Sequence, residues 1–320
     1  MKNKQVTNTV MMIRPACFGY NSETALDNVY QKNNSKISSS EIAKKALLEF
    51  DNFVDVLENA GINVIQFEDD LKSITPDAIF PNNWISTHQD GTICLFPMYA
   101  ENRRIERRID ILSYFKNNFK VSNLFDKAEI YESNNKFLEG TGSMVLDRIH
   151  KVAYACISKR TDKNLFYEWC EKMNFRGISF SSNDLGAPVY HTNVVMSVSE
   201  NLVFICLDAI VNDNKKEQLL SSFNDTNKEI INISQYQMQH FLGNVLELKN
   251  NKNESFLVMS TTAFESLDNT QIDTINKKSQ ILHSSLNTIE YFGGGSARCM
   301  IAEVFLEPNF NPKLKLPIVS

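Results

Sequence analysis

Glu139-Gly140-Thr141-Gly142-Ser143-Met144-Val145-Leu146-Asp147-Arg148-Ile149-His150-Lys151-Val152-Ala153-Tyr154-Ala155-Cys156-Ile157 is the stretch on which the fold class turns. It reads as a strand pair, residues 143–146 and 152–157. A helix candidate precedes it at 102–115, with Ile105, Ile109, Leu112 and Phe115 on its apolar face. Another follows at 162–173, with Leu165, Phe166, Trp169 and Met173 at helical spacing. Hairpins set between helices disfavour an open, doubly wound parallel sheet.

The same order recurs in both directions. Upstream lies a helix at 41–60 with Ile42, Ala46, Phe50, Phe53 and Leu57 on one face, Ser38 as its cap and Gly61 as its stop. A strand at 63–67 follows, then a strand pair, 78–86 and 92–98, joined through Gln89-Asp90-Gly91. Downstream, 189–198 pairs with 202–207, helices are expected at 215–223 and 269–278, and strands at 256–260, 288–292 and 299–306. This makes about five units of roughly 50–60 residues. One unit cannot bury both its faces, so the units are expected to close around an axis and share a core. The whole chain, 1–320, reads as a single α/β domain.

Composition narrows the function. Lys and Arg number 33 against 38 Asp and Glu, a net charge of −5. An acidic chain argues against nucleic acid as the main partner, since phosphate contacts need a basic surface. The apolar run at 10–13 is too short for a signal-peptide core or a membrane span, so a cytoplasmic protein is expected. Six cysteines are scattered with no C-x-x-C pair, which leaves a zinc site unsupported and reduced thiols the default. Phosphate-loop and dinucleotide fingerprints are absent, and no cofactor or metal is expected.

The remaining chemistry sits at the mouths of the strand pairs. Gly293-Gly294-Gly295-Ser296-Ala297-Arg298-Cys299 brings three glycines and an arginine to a cysteine; the glycines permit close approach and Arg298 favours a thiolate. A nucleophilic Cys needs a proton shuttle and a group to orient it. His191, after Gly186 and Pro188, and Glu139, before Gly140-Thr141-Gly142, stand at such mouths, as do Asn82 and Asn83 after Pro81. The two asparagines read equally as turn formers or binders. Cys17, Cys94, Cys156, Cys170 and Cys206 read as small buried hydrophobes, and Trp84 as core. The run Arg103-Arg104-Ile105-Glu106-Arg107-Arg108 reads as a solvated helix face with Ile105 and Ile109 inward.

Four segments in order carry a resemblance over nearly the whole chain: Pro76-Asp77-Ala78-Ile79-Phe80-Pro81-Asn82-Asn83-Trp84, Leu138-Glu139-Gly140-Thr141-Gly142-Ser143, His191-Thr192-Asn193 and Gly293 through Met300. Together they resemble the guanidine-modifying (pentein) superfamily. Met12-Ile13-Arg14-Pro15 and Phe18-Gly19-Tyr20-Asn21 resemble its arginine-deiminase-related, citrulline-utilisation hydrolases within the amidinotransferase-like family. The resemblance implies a five-bladed α/β propeller of ββαβ repeats with the site at its axis. It also implies Cys299 as nucleophile, His191 as general acid/base and Glu139 as the carboxylate that orients it.

One departure bears on substrate. Arginine deiminases hold the guanidinium with two aspartates, and those positions here are Asn83 and Asn193, although Asp77 and Asn82 lie close enough to confuse the register. A cationic guanidinium wants carboxylates, whereas a neutral ureido group is matched by amides without burying net charge. Citrulline is therefore expected ahead of arginine. Dimethylarginine-type hydrolysis, amidino transfer and a non-catalytic binding protein of the same fold are the alternatives. Arg14, Arg148 and Arg298 are candidates for the substrate α-carboxylate. The expected partner is this small molecule, with a homodimer also open.

Overall fold

The computed structural model describes residues 3–70 and 74–309. Among the described residues, five three-stranded sheets follow one plan, in which the middle strand runs antiparallel to the first and parallel to the third. Four are built from consecutive strands: Ile85–Thr87, Thr92–Leu95 and Asn123–Asp126; Val145–Asp147, Val152–Cys156 and Arg176–Phe180; Met196–Val198, Leu202–Ile205 and Glu229–Asn232; and Leu246–Lys249, Ser255–Ser260 and Gln280–Ser284. The remaining sheet joins the two ends of the chain. Its first strand, Ala302–Glu303, pairs with Thr9–Arg14, which pairs in parallel with Asn63–Glu68. A short ladder of Asn183–Asp184 and Ala187–Pro188 stands apart.

Local chemistry dictates this alternation. An antiparallel pair closes through a tight turn, but a parallel pair needs a crossover, and a helix supplies it. The crossovers are Ser39–Asn59, Ile109–Asn118, Lys163–Met173, Asp213–Asp225 and Asn269–Asn276. Four start on capping side chains: Ser38, Asp162, Asn212 and Asp268 accept from the backbone N–H three residues on. The Ser39–Asn59 helix buries Ile42, Ala46, Phe50, Phe53, Val54 and Leu57, the face expected from its spacing.

Several expected elements differ. The helix at 102–115 is broken into Glu101–Arg104 and Ile109–Asn118, and Ile105 and Ile109 are 55% and 79% exposed. Arg103 turns inward instead, because buried acceptors lie within its reach. The segment expected as a strand at 288–292 is the helix Asn287–Gly293, whose first N–H groups are bound by the Glu49 carboxylate. Its buried Ile289 and Phe292, three apart, fit one helix face. Only Ala302–Glu303 of 299–306 pairs as a strand.

The first strand of each sheet is entered through a tight turn. Pro81–Asn83 and Thr192–Val195 are helical turns where continuous strand was expected, and Gly140–Ser143 is a like turn just before its strand. Neighbouring turns press together. A Cβ on Gly140 would lie 2.3 Å from the Asn82 carbonyl, and one on Gly243 2.1 Å from that of Val194. Thr192 Oγ1 donates to the Ser143 carbonyl, and the Arg298 N–H to that of Asn244. Among the described residues no helix is long and apolar enough to cross a membrane.

Candidate active site

The turn after the last helix sets Cys299 in place. Gly294 takes φ +62, and a Cβ on it would meet Asn28 within 2.6 Å. A Cβ on Gly295 would meet the Phe80 ring at 3.0 Å. Ser296 donates to Glu290 at 2.6 Å, and the Cys299 N–H donates to the Ser296 carbonyl at 2.9 Å. The thiol is buried and lines a cavity with His191, Asn83, Asp77, Arg103, Arg160 and Tyr190.

Behind that cavity stands a histidine–carboxylate pair. His191 Nε2 lies 2.8 Å from Glu139 Oε2, with both side chains buried. The other carboxylate oxygen accepts from the Tyr99 N–H at 2.9 Å. Burial pushes the Glu139 carboxyl up, but Arg160, His191 and Arg103 outweigh it and hold the group down at about 2. An ionised Glu139 fixes the ring tautomer: Nε2–H donates to it, and Nδ1 is left as the acceptor. Burial lowers His191 despite Glu139, so the imidazole is favoured in its neutral form.

Amide groups surround the sulfur. Asn193 Nδ2 and Asn244 Nδ2 donate to Cys299 Sγ at 3.3 and 3.2 Å. Asn83 Oδ1 accepts from Arg103 at 2.7 Å, and Asp77 Oδ2 accepts from Asn21 and Thr24. Four residues here keep buried polar atoms with no partner: Asp77 Oδ1, Asn83 Nδ2, Asn193 Oδ1 and both amide atoms of Asn82. Buried polar groups are normally bonded, so this cluster leaves donors and acceptors to spare beside the thiol.

The expected site residues divide into two sets. Cys299, His191, Glu139, Asp77, Asn83 and Asn193 are brought together, and Asn82 adjoins them through its carbonyl, which Thr141 bonds at 3.3 Å. Arg298 is not: its guanidinium turns to the Ile301 carbonyl and Glu303, so it does not act on the thiol beside it in sequence. Arg14 is bound through Nε and Nη2 by Asp51, at 2.7 and 2.8 Å, at the end of the middle strand of its sheet. Arg148 pairs with Glu303 and stacks on Phe305.

Comparison with known proteins decides the family. A family described as N,N-dimethylarginine dimethylhydrolase, eukaryotic, matches residues 14–306. The chain belongs to that family. This member of the dimethylarginine dimethylhydrolase family is thereby a pentein-type α/β protein and a hydrolase of non-peptide C–N bonds. No curated protein matches it by sequence. The N-terminal domain of ArgZ, an arginine dihydrolase of cyanobacteria solved with its substrate, is 14% identical, with a TM-score of 0.71 over 92% of this chain and 97% of that one. AgrE with ornithine and NAD+ is 15% identical, with a TM-score of 0.70 over 97% of this chain and 41% of that longer one. The dimethylarginine dimethylhydrolase of Pseudomonas aeruginosa, in complex with citrulline, is 14% identical, with a TM-score of 0.63 over 93% of this chain and 99% of that one.

Sequence reading missed several groups at the site. Arg103, taken for a solvated helix face, is buried and bonds Glu106, Asn83 and two carbonyls. Arg160 bonds Asp27 and the Thr24 carbonyl, and its Nη1 lies 3.7 Å from Glu139. Asn244, after Gly243 at the entry of a strand, carried the signal that marked the other turns: a glycine and a polar side chain before an apolar run.

Proposed function

We propose that this protein is a cysteine-dependent hydrolase that cleaves the ureido group of citrulline, yielding ornithine, carbon dioxide and ammonia. The observation that carries the reading is one buried cavity lined by both Cys299 and the Glu139-bound His191, flanked by unpaired amide groups. In this reading the Cys299 proton passes to His191 Nδ1, and the sulfur attacks the ureido carbon. The C–Nδ bond breaks as the imidazolium protonates the departing ornithine nitrogen. Water, activated by His191, then hydrolyses the S-carbamoyl group to carbamate, which falls to carbon dioxide and ammonia. One water is consumed, and the thiol returns.

The neutral amides favour a neutral substrate. Asn83 Nδ2 would donate to the ureido oxygen, and Asn193 Oδ1 would accept from a ureido N–H, so both orphans gain partners. Arg160, which lines the cavity with Nη1 3.7 Å from Glu139, would hold the α-carboxylate. A second reading, hydrolysis of arginine or a dimethylated arginine, is favoured by the family match and by the unpaired carboxylate oxygen of Asp77. The proposal extends to architecture: the five sheets form five blades about one axis within a single domain. The side-by-side packing of successive entry turns supports it.

The test is to incubate the protein separately with citrulline, arginine, dimethylarginine and agmatine, and to assay ammonia, ornithine, citrulline and dimethylamine. Ornithine and ammonia in equal amounts from citrulline are expected. Citrulline accumulating from arginine, with citrulline itself inert, would overturn the ureido preference.

A further inference from the structure

Asn244 is fully buried and grips one residue by both its backbone and its side chain. Its Oδ1 accepts from the Cys299 N–H at 3.3 Å, and its Nδ2 donates to the Cys299 sulfur at 3.2 Å. The same nitrogen donates to the Asn193 carbonyl at 2.9 Å, which ties Asn244 to the second amide on the sulfur. Gly243 lets this turn press against its neighbour: a Cβ there would stand 2.1 Å from the Val194 carbonyl oxygen.

Packing does not explain the arrangement. Backbone groups satisfy the oxygen and one N–H of Asn244, but its second N–H, like that of Asn193, is turned to the Cys299 sulfur, and a neutral thiol is a weak acceptor. An anionic sulfur is a strong acceptor. Two donors converging on one sulfur are matched to it in its thiolate form.

We propose that Asn244, with Asn193, forms a two-amide cradle that fixes the Cys299 sulfur and stabilises its thiolate before any substrate enters. The inference rests on the reading of Cys299 as nucleophile and deepens it. Because the cradle is neutral, it does not depend on a cationic substrate to draw out the negative charge, which suits a ureido group with no charge to lend. The proton leaving the sulfur passes to His191 Nδ1. The other titratable groups lining the cavity are Tyr190, Asp77, Arg103 and Arg160, while Arg298 is held away by Glu303.

Asn244→Asp and the uncharged Asn244→Leu in the full chain test this together, since both lose the donor but only Asp adds a charge, and the cradle requires that both shift the thiolate curve. Thiolate absorbance in the ultraviolet is followed against pH as the difference between each protein and its Cys299→Ser counterpart. The thiolate signals of N244D and N244L are both expected at least about one pH unit above that of the wild type. Turnover of whichever substrate is active should fall about 100-fold in kcat, with KM within about threefold. A thiolate curve superimposable on the wild type's in either folded variant would overturn the cradle. Should either fail to fold by circular dichroism, Asn193→Asp and Asn193→Leu probe the other donor by the same criteria. The absorbance needs no substrate, so a shifted curve without turnover of citrulline or arginine sustains the cradle and sinks the substrate reading instead.

Discussion

Cys156 and Cys299 are both buried at the end of a strand or the turn before one, yet their surroundings differ in kind. The Cys156 sulfur lies 2.9 Å from the Ser182 hydroxyl and donates to the Val189 carbonyl at 3.6 Å. Burial pushes that thiol up to about 11, with Ser182 offsetting only part of the effect. The Cys299 sulfur instead receives two amide N–H groups and shares its cavity with an imidazole and two guanidinium groups. Equal burial thus gives a thiol raised by its surroundings in one place and, in the other, the setting on which the proposed nucleophile rests. What distinguishes them is what surrounds the sulfur: a hydroxyl and a carbonyl at Cys156, amide donors and charged side chains at Cys299.

The sharpest way to break that comparison is to treat the two cysteines alike. Cys299→Ser should lower citrulline turnover by at least about 1,000-fold, the scale of losing a covalent nucleophile. Cys156→Ser should leave kcat/KM within about threefold and cost about 1 kcal/mol of stability. Ammonia release and urea unfolding measure the two outcomes. Comparable losses of activity in both variants would mean that burial, not neighbours, sets reactivity here.

Glu139→Gln removes the charge behind His191 while leaving an acceptor for the Tyr99 N–H. An amide no longer enforces one tautomer, so kcat should fall by about 100- to 10,000-fold, with circular dichroism unchanged. The same variant tests the pH dependence. Folded Glu139 titrates at about 2 and an unfolded glutamate near 4.5, so between these the unfolded chain binds more protons. Its stabilising contribution is full above pH 4.5 and lost as pH falls towards 2. Glu106 runs oppositely: burial raises it to about 7 in spite of Arg103, so its contribution is full below pH 4.5 and lost as pH rises through 7. Urea unfolding of Glu139→Gln should therefore show a shallower acid loss than the wild type. Parallel acid limbs would show that Glu139 is protonated in the folded protein.

The hairpin–helix–strand plan was legible because it needs only short-range patterning: apolar pairs around Gln89-Asp90-Gly91, and helices capped by Ser38 and Asp162. Cys299 and Glu139 were legible because the glycines beside them have little use in a core strand. Contacts distant in sequence decided the rest. The turn at Thr192–Val195 is fixed partly by Thr192 bonding Ser143, 49 residues away, so its apolar run looked like continuous strand. Arg103 lies in a run of charge that reads as solvated, and beside its local partner Glu106 the Asp77 and Phe80 carbonyls and Asn83, about 20 to 26 residues upstream, draw it inward. Arg298 misled for the same reason, since adjacency to Cys299 in sequence says nothing of where a long side chain points.

Gly142 offers a smaller perturbation of the same neighbours. A Cβ there would stand 2.4 Å from Asn83 Nδ2 and 2.8 Å from the His191 ring, so Gly142→Ala must displace one of them. Activity should fall about 10- to 100-fold through misplacement of the imidazole, because shifts of this size near a reacting group cost that much. Unaltered kcat and KM would show that the ring does not need its present position.

Arg14→Ala should have the least effect of all, and it extends the lesson from sulfur to guanidinium. The residue sits in the segment that resembles the family's N-terminal motif, and its charge alone would suit a substrate carboxylate. Its neighbours say otherwise: Asp51 takes two of its nitrogens and Glu68 approaches the third at 3.5 Å, on a partly exposed face. Such a pair contributes no more than about 1 kcal/mol, so stability should drop by that or less. Because Arg14 does not line the cavity that holds Cys299, KM for citrulline should stay within about twofold. A tenfold rise in KM with kcat preserved would return Arg14 to the substrate carboxylate and require the Asp51 pair to open when substrate binds.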